Sequence, residues 1–373
     1  MDEEEGITAI VIDNGSGYFK AGFSGEEKPS TILPSIVGYP NFKDCMKVVN
    51  KTEFFIGDKA KENRGVLNYC NPIKRGTIID WDNIEKIYKF ILDDELRSKP
   101  KEHNIMITEP LMNPRKNREK LAQIMFETFN IPGLFFENTA VLNISASGKF
   151  TGFSVDSGEG LTQYAPIFEG YLLTPGLMQV EFGGEDITNF LLKMLFDNGE
   201  KLSPYNENNE KKIVEDIKEK SCYVTLKFED ELKSCKPFNY ELPDGNQITL
   251  KEERIKCSEI LFEPSIIGEK GNGLAKACYD LVQKCSIDVK KELYHSICLS
   301  GGNTMFNGFP ERFEKEIKSL VPNSMKDEVK INATKERKFQ QWIGGSIISS
   351  ISTMDSKWIT KKNYEENGLK IIK

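Results

Sequence analysis

A short β-branched run that ends on aspartate and opens into a turn with two glycines around one residue occurs twice in this chain. Residues 12–20 read IDNGSGYFK and residues 155–163 read VDSGEGLTQ. The runs leading in, TAIVID (Thr8 to Asp13) and TGFSVD (Thr151 to Asp156), have the composition of strands, and Asp-Asn-Gly and Asp-Ser-Gly mark the turns that stop them. Asp13 and Asp156 lie 143 positions apart, too far for a solenoid period and suited to a duplicated domain. A third glycine turn, CLSGGNTMF (Cys298 to Phe306), also follows an apolar run; by itself it is only a strand-to-helix turn.

The intervening chain alternates strands with helices. WDNIEKIYKFILDDEL sets Ile84, Ile87, Tyr88, Ile91 and Leu92 at helical spacing, NPRKNREKLAQIMFETF does the same with Leu121, Ile124, Met125 and Phe129, and GGEDITNFLLKMLFDNG with Ile187, Phe190, Leu191, Met194 and Leu195. These stripes predict helices packed on sheets, giving an α/β chain of two similar halves. A length of 373 residues calls for two to three domains. The polar stretches SPYNENNEKK and KPFNYELPDGNQ read as surface loops or hairpin turns, and no long linker separates the halves. A cleft between the halves is the default ligand site.

Glycines 15, 17, 158 and 160 let backbone N–H groups turn toward an anion without side-chain obstruction. Two such turns facing each other would grip a polyphosphate. Ser16 can donate a hydroxyl to it, and Lys20 can add a point charge. Asp13 and Asp156 on either side of a phosphate would repel it unless a cation intervenes, and Mg²⁺ held largely through its waters fits two lone carboxylates. The bland alternative for either turn alone is an ordinary hairpin.

Composition narrows the ligand classes. With 57 acidic against 50 basic residues the net charge is −7, and no long Lys/Arg block offers a face for a nucleic-acid backbone. No apolar run approaches the roughly 20 residues that span a bilayer, and MDEEEG has no signal-peptide character, so a cytosolic address is expected. Eight cysteines without a CxxC pair read as reduced structural thiols, and two distant histidines, His103 and His295, give little material for a metal site or a Ser/His/Asp triad.

The three glycine turns in this order, together with PSIVGYP, DIKEKSCYV, YELPDG, LSGGNTMFNGFPER and ERKFQQWIGGSIISSISTM, resemble the actin family more than its sugar-kinase and Hsp70-type relatives. The resemblance runs from about Thr8 to Ile372. It implies the duplicated actin-like ATPase fold with a nucleotide cleft between two halves. Its four subdomains would be residues 1–34, 72–146 and 336–373; 35–71; 147–182 and 266–335; and 183–265. It implies ATP or ADP with Mg²⁺ as ligands. Asn14, Gly15, Ser16, Gly17 and Lys20 would form the first phosphate loop, and Gly158, Glu159 and Gly160 the second. Asp13 and Asp156 would surround the Mg²⁺ waters. Lys218 and Glu219 would meet the ribose and adenine region, Gly302, Asn303, Met305 and Phe306 would line the nucleoside pocket, and Lys338 would lie beside the base. Taken alone, Lys218, Glu219 and Lys338 read as solvated charges.

Departures from the family pattern are equally specific. The two residues that position the attacking water in the family, a glutamine and a histidine, correspond here to Thr139 and Gln163. Thr139 lacks the glutamine's reach and the Gln163 amide does not titrate near neutrality, which predicts slow or impaired hydrolysis; general-base help is typically worth about 10²- to 10⁴-fold. A shifted water relay is the alternative. Glu159 replaces an aspartate, and Arg75 stands where the family carries its modified histidine. In the filament regions, residues 41–51 lack the internal glycines of the DNase-binding loop, Glu269 and Lys270 replace an apolar plug, and the last residues differ from the family's Cys-Phe. Gly170, Tyr171, Ile343, Ile347, Ile348 and Ile351 match the family's apolar partner cleft, with Ser145 where an aromatic is usual; the same residues could serve as helix core. The expected function is an actin-like protein of cytoplasm and cytoskeleton, with the nucleus open. It would form filaments or co-assemble with actin-like subunits. The alternatives are a non-polymerising subunit of a larger complex, of the dynein-transport or chromatin-remodelling kind, and a metabolite kinase on the same fold.

Overall fold

A computed structural model describes residues 8–40, 53–63, 66–200, 202, 207–243 and 245–372. Loop 41–51 therefore lies outside the described residues. The chain divides into two compact units: Met1–Phe150 with Glu169–Tyr171 and Phe339–Lys373, and Thr151–Phe168 with Leu172–Lys338.

The first unit is built on a six-stranded sheet. Strands β1 (Ile10–Asn14), β2 (Tyr18–Phe23), β3 (Thr31–Pro34), β4 (Ile105–Glu109) and β5 (Gly133–Asn138) are joined by a short strand, Ile359–Thr360. The spatial order is Ile359–Thr360, β5, β4, β1, β2, β3, with β1, β4 and β5 parallel. The strand alternation divides the core. Ile10, Ile12, Ile105, Ile107 and Leu134 turn to one face, beneath helices α1 (Trp81–Lys89) and α2 (Arg115–Gln123). Val11 and Met106 turn to the other, against Leu142 of helix α3 (Thr139–Ala146) and Trp342 of helix Gln340–Ser349. Each such isoleucine contributes about 1.5–3 kcal/mol when withdrawn from water.

The stripe read from the sequence over Ile84, Ile87, Tyr88, Ile91 and Leu92 is fully buried. Asp80 starts α1 by accepting from Asn83 N–H at 3.1 Å, and a wider π-type turn over Phe90–Glu95 keeps Ile91 and Leu92 on the buried side. Leu121, Ile124 and Met125 are likewise buried, with Phe126 beside them.

The second unit repeats the plan. Strand β6 (Gly152–Ser157) pairs antiparallel with β7 (Thr162–Phe168) and parallel with β8 (Ile297–Ser300). Helices α4 (Gly184–Asp197), α5 (Glu207–Ser221), α6 (Leu274–Lys284) and α7 (Phe309–Leu320) bury Ile187, Leu191, Leu195, Ile213, Val214, Ile217, Phe309 and Phe313 in its core. Phe190 and Met194 pack only at its margin.

The loop expected over SPYNENNEKK is overturned from Glu207 onward, where the chain is already helical. Burial of Ile213, Val214 and Ile217 on one side of α5 outweighs the local turn preference of the asparagines. KPFNYELPDGNQ does form a hairpin, Phe238–Glu241 against Gln247–Leu250. The seven described cysteines are all free thiols, most of them buried.

Candidate functional site

Both aspartate turns are hairpin tips. In the first unit β1 pairs with β2 so that Asp13 stands opposite Lys20, and in the second β6 pairs with β7 so that Asp156 stands opposite Gln163. Each aspartate thus sits one residue from the strand end, at the carboxyl edge of parallel strands, where ligands of α/β sheets gather.

The first turn is tied down from its own unit. Lys20 Nζ lies 2.5 Å from Asp13 Oδ2, with the two side chains only 13% and 6% exposed. Thr108 at the end of β4 donates its hydroxyl to Asp13 Oδ1 at 2.6 Å and accepts from Asn14 N–H at 3.2 Å. Tyr88 donates to Asn14 Oδ1 at 3.0 Å. Ser35 grips the turn from below, its hydroxyl on Gly15 O at 2.6 Å and its N–H on Gly17 O at 2.9 Å. Ser16 Oγ accepts from Gly76 N–H at 3.0 Å, a bond that leaves the hydroxyl hydrogen to donate elsewhere. Among the described residues no protein acceptor takes the N–H of Ser16 or Gly17. Gly76 itself closes a two-residue turn with Arg75, both at positive φ (72° and 48°), between strands Ile73–Lys74 and Thr77–Ile78.

The second turn is docked on other elements. Ser300, last residue of β8, donates to Asp156 Oδ1 at 3.0 Å, and Gln163 Nε2 approaches Asp156 Oδ2 at 3.4 Å. The Gln163 side chain is buried, held against the very carboxylate expected to face the metal. Gly158 O accepts from Gly184 N–H at 2.9 Å, and Glu159 O from Glu185 N–H at 2.9 Å, which seats the turn on the start of α4. Asn303 staples the third glycine turn to it, its amide donating to Ser157 Oγ at 3.1 Å and Gly158 O at 2.7 Å. Gly301 just before it has φ +88°, and a Cβ there would fall 2.3 Å from Ser157 O, so only glycine allows this approach.

Lys218 is a correction to its reading as a solvated charge. It is 5% exposed. Its ammonium donates to Gly184 O at 2.9 Å and Thr188 Oγ1 at 2.8 Å and lies 3.5 Å from Glu159 Oε2. Burial pushes the Glu159 carboxyl above its ordinary value, and Lys218 pulls partly against that shift. Glu219 and Lys338 are exposed. Gly302 is exposed, Met305 half-buried, and Phe306 packs in the apolar core of its unit. Gly160, in the second turn, is buried.

Thr139 is the first residue of α3 and is buried behind Asn138, whose side chain caps the helix by accepting from Ala140 N–H at 3.0 Å. Glu269 and Lys270 are exposed, so neither charge is desolvated within its unit. The apolar set expected at a partner cleft divides. Ile343 and Ile348 pack partly into the core, whereas Tyr171 (77%), Ile347 (41%) and Ile351 (45%) remain exposed in the same unit. Ser145 turns its hydroxyl back to Val141 O at 2.9 Å.

Sequence reasoning missed Thr108, Ser300, Ser35 and Thr188. The first two are the only polar residues that close their apolar strand runs at the aspartate level, IMIT and ICLS, and that position was the available signal.

Chemically, each turn offers one carboxylate, Asp13 held by the Lys20 ammonium and the Thr108 hydroxyl and Asp156 by Ser300 and Gln163, and the first turn adds the backbone N–H groups of Ser16 and Gly17. Among the described residues no three His, Cys, Asp or Glu side chains converge. A single carboxylate per turn suits an ion such as Mg²⁺ that keeps most of its waters, and not a cation that needs an all-protein cage. No described helix is long and apolar enough to cross a membrane. Against models of known protein families, residues 4–373 match the model described as actin. With that match over essentially the whole length, and with the same hairpin turn at the head of two α/β units, the chain belongs to the actin family.

Proposed function

We propose that this chain binds ATP or ADP with Mg²⁺ through its two aspartate turns, hydrolyses ATP slowly, and works as an actin-like subunit of the cytoskeleton. One observation carries the reading: two hairpins of the same build, each with an aspartate at the same register position and, in the first, N–H groups of Ser16 and Gly17 left to an outside acceptor. Such a cradle is built for phosphate oxygens.

In this reading Gly15, Ser16, Gly17 and Lys20 bind phosphate from one unit and Gly158, Glu159 and Gly160 from the other. Asp13 and Asp156 orient waters of the metal. Bound Mg²⁺ supplies neutralisation of phosphate charge. Lys218 and Glu219, with Gly302, Asn303, Met305, Phe306 and Lys338, serve the nucleoside; Lys218 does so by bracing the start of α4 beside Glu159, and Asn303 by bracing Ser157 and Gly158 of the second turn. The four-part division of the chain stated from the sequence belongs to the same proposal. Slow hydrolysis follows from Thr139 and from Gln163, whose amide is engaged by Asp156 and supplies no titrating group.

The test is the nucleotide content of full-length protein purified without added nucleotide. About one ATP or ADP per chain is expected, released by a chelator with a fall in thermal stability. A ligand at 100 times its Kd stabilises by about 2.7 kcal/mol. A chain that purifies empty and shows no shift with Mg²⁺-ATP would refute the reading. Sedimentation of the pure protein with Mg²⁺-ATP then separates self-assembly, which pellets, from service as a subunit of a larger complex, which does not.

A further inference from the structure

Glu137 is a carboxylate that the nucleotide reading leaves unused. It is the penultimate residue of β5, two positions before Thr139. Its register partner is Thr108, the residue whose hydroxyl holds Asp13. Because register partners point to the same face, Asp13, Thr108 and Glu137 form one polar row across the carboxyl ends of three parallel strands. Two inter-strand steps separate the outer carboxylates, about 10 Å.

The carboxylate is half-buried and accepts from Asn138 N–H at 2.8 Å. Among the described residues no ion pair engages it. The charged groups around it are Glu109 on β4, Arg118 on α2 and Lys357 ahead of strand Ile359–Thr360. Arg118 is committed to Glu109. Helix α3 and helix Gln340–Ser349, on the same face, carry no ionisable side chain. Burial is the largest influence and pushes the Glu137 carboxyl above its ordinary value, toward neutrality, where a carboxylate is a better base.

Resting on the nucleotide reading above, we infer that Glu137 is the proton acceptor for the water that attacks the terminal phosphate of bound ATP. The water oxygen forms the new bond to phosphorus, the bond to the departing ADP oxygen breaks with its electron pair, and the water proton passes to Glu137 and then to solvent. ATP and water become ADP, phosphate and a released proton. Glu137 thus carries the residual, slow hydrolysis that remains where neither Thr139 nor Gln163 titrates.

Single-turnover hydrolysis by the nucleotide-loaded full chain, followed from about pH 5 to pH 9, tests this. The parent rate is expected to rise with pH through the raised carboxyl value and then level. Glu137→Gln keeps an oxygen for Asn138 N–H, so retained nucleotide and thermal midpoint should stay near the parent while the rate falls about 100-fold and loses its pH dependence. Glu137→Asp should restore the pH dependence and part of the rate. A parental rate and profile in Glu137→Gln, a flat parental profile, or a parent that holds ATP and never turns it over would each overturn the inference and leave nucleotide binding standing. A parent that holds no nucleotide overturns both.

Discussion

The two aspartate turns are copies that differ at one decisive place. From Asp13 to Lys20 and from Asp156 to Gln163 the chain advances seven residues around the same hairpin, so Lys20 and Gln163 occupy equivalent positions. In the first unit the aspartate meets a cation inside its own sheet. In the second the named donors, Ser300 and Gln163, are neutral dipoles. The first aspartate is thus balanced by an ammonium from the neighbouring strand, where the second meets the amide of Gln163 at the equivalent position. Under the nucleotide proposal that difference would give the turns different tasks: Lys20 would share Asp13 with a phosphate, and Asp156 would face a hydrated cation.

The largest expected effect breaks this contrast at its source. Lys20→Met leaves the Asp13 carboxylate nearly buried opposite an alkyl chain. Removing one member of a buried pair costs about 3 kcal/mol or more. Gln163→Leu removes a long hydrogen bond from a neutral amide to the Asp156 carboxylate and should cost less, about 1.5 kcal/mol. Urea denaturation of both variants measures the gap; equal losses would show that the two aspartates feel the same field. Gln163→Lys sharpens the point by copying the first turn into the second. It should weaken the dependence of thermal stability on Mg²⁺, and Lys20→Gln should strengthen it.

How much of this was legible in the sequence follows from distance along the chain. The strands, the turns and the helical stripes of α1, α2 and α4 rest on residues within one element, and their periodicity is written locally. The equivalence of Lys20 and Gln163 was also in plain view, since IDNGSGYFK and VDSGEGLTQ align without a gap. The partners that set the chemistry were not. Thr108 is 95 positions from Asp13, Ser300 is 144 from Asp156, and both arrive only because parallel strands bring their carboxyl ends together. Lys218 escaped for a related reason. Its place on a charged helix end reads as solvent-facing, and only the packing of α5 on α4 turns it inward to Gly184 and Thr188.

The backbone of the two turns gives a second, smaller contrast. A Cβ on Gly15 would lie 2.5 Å from Tyr18 O, so the first hairpin closes too tightly for a side chain. A Cβ on Gly158 would meet nothing nearer than Leu161 O at 3.7 Å. Gly15→Ala should therefore destabilise by about 1–3 kcal/mol, comparable to overpacking, while Gly158→Ala should stay within about 0.5 kcal/mol. If both lose nucleotide but only the first loses stability in thermal melts, glycine 158 is kept for the ligand and glycine 15 for the fold. Equal destabilisation would mean that the second hairpin is as tightly closed as the first.

The smallest effect concerns acid on the second turn alone. Glu159 leans on the start of α4, where a Cβ on Gly184 would fall 2.2 Å from its carboxylate, and Lys218 stands at 3.5 Å. Its folded-state carboxyl lies above the ordinary value of 4.5. The folded chain then holds this proton more tightly than the unfolded chain, so the contribution is fully present below the ordinary value and is lost as pH rises through the folded one. Glu159→Gln should remove that falling segment from the stability profile, by less than about 1 kcal/mol because the side chain keeps some contact with water and Lys218 opposes the shift. The first turn has no such acid in its glycine pair, where Ser16 stands, and Ser16→Ala should leave the slope unchanged. Chemical denaturation across weakly acidic pH compares the two. A slope that survives Glu159→Gln would place its source elsewhere in the unit and would remove the acid of the second turn from the list of differences between the copies.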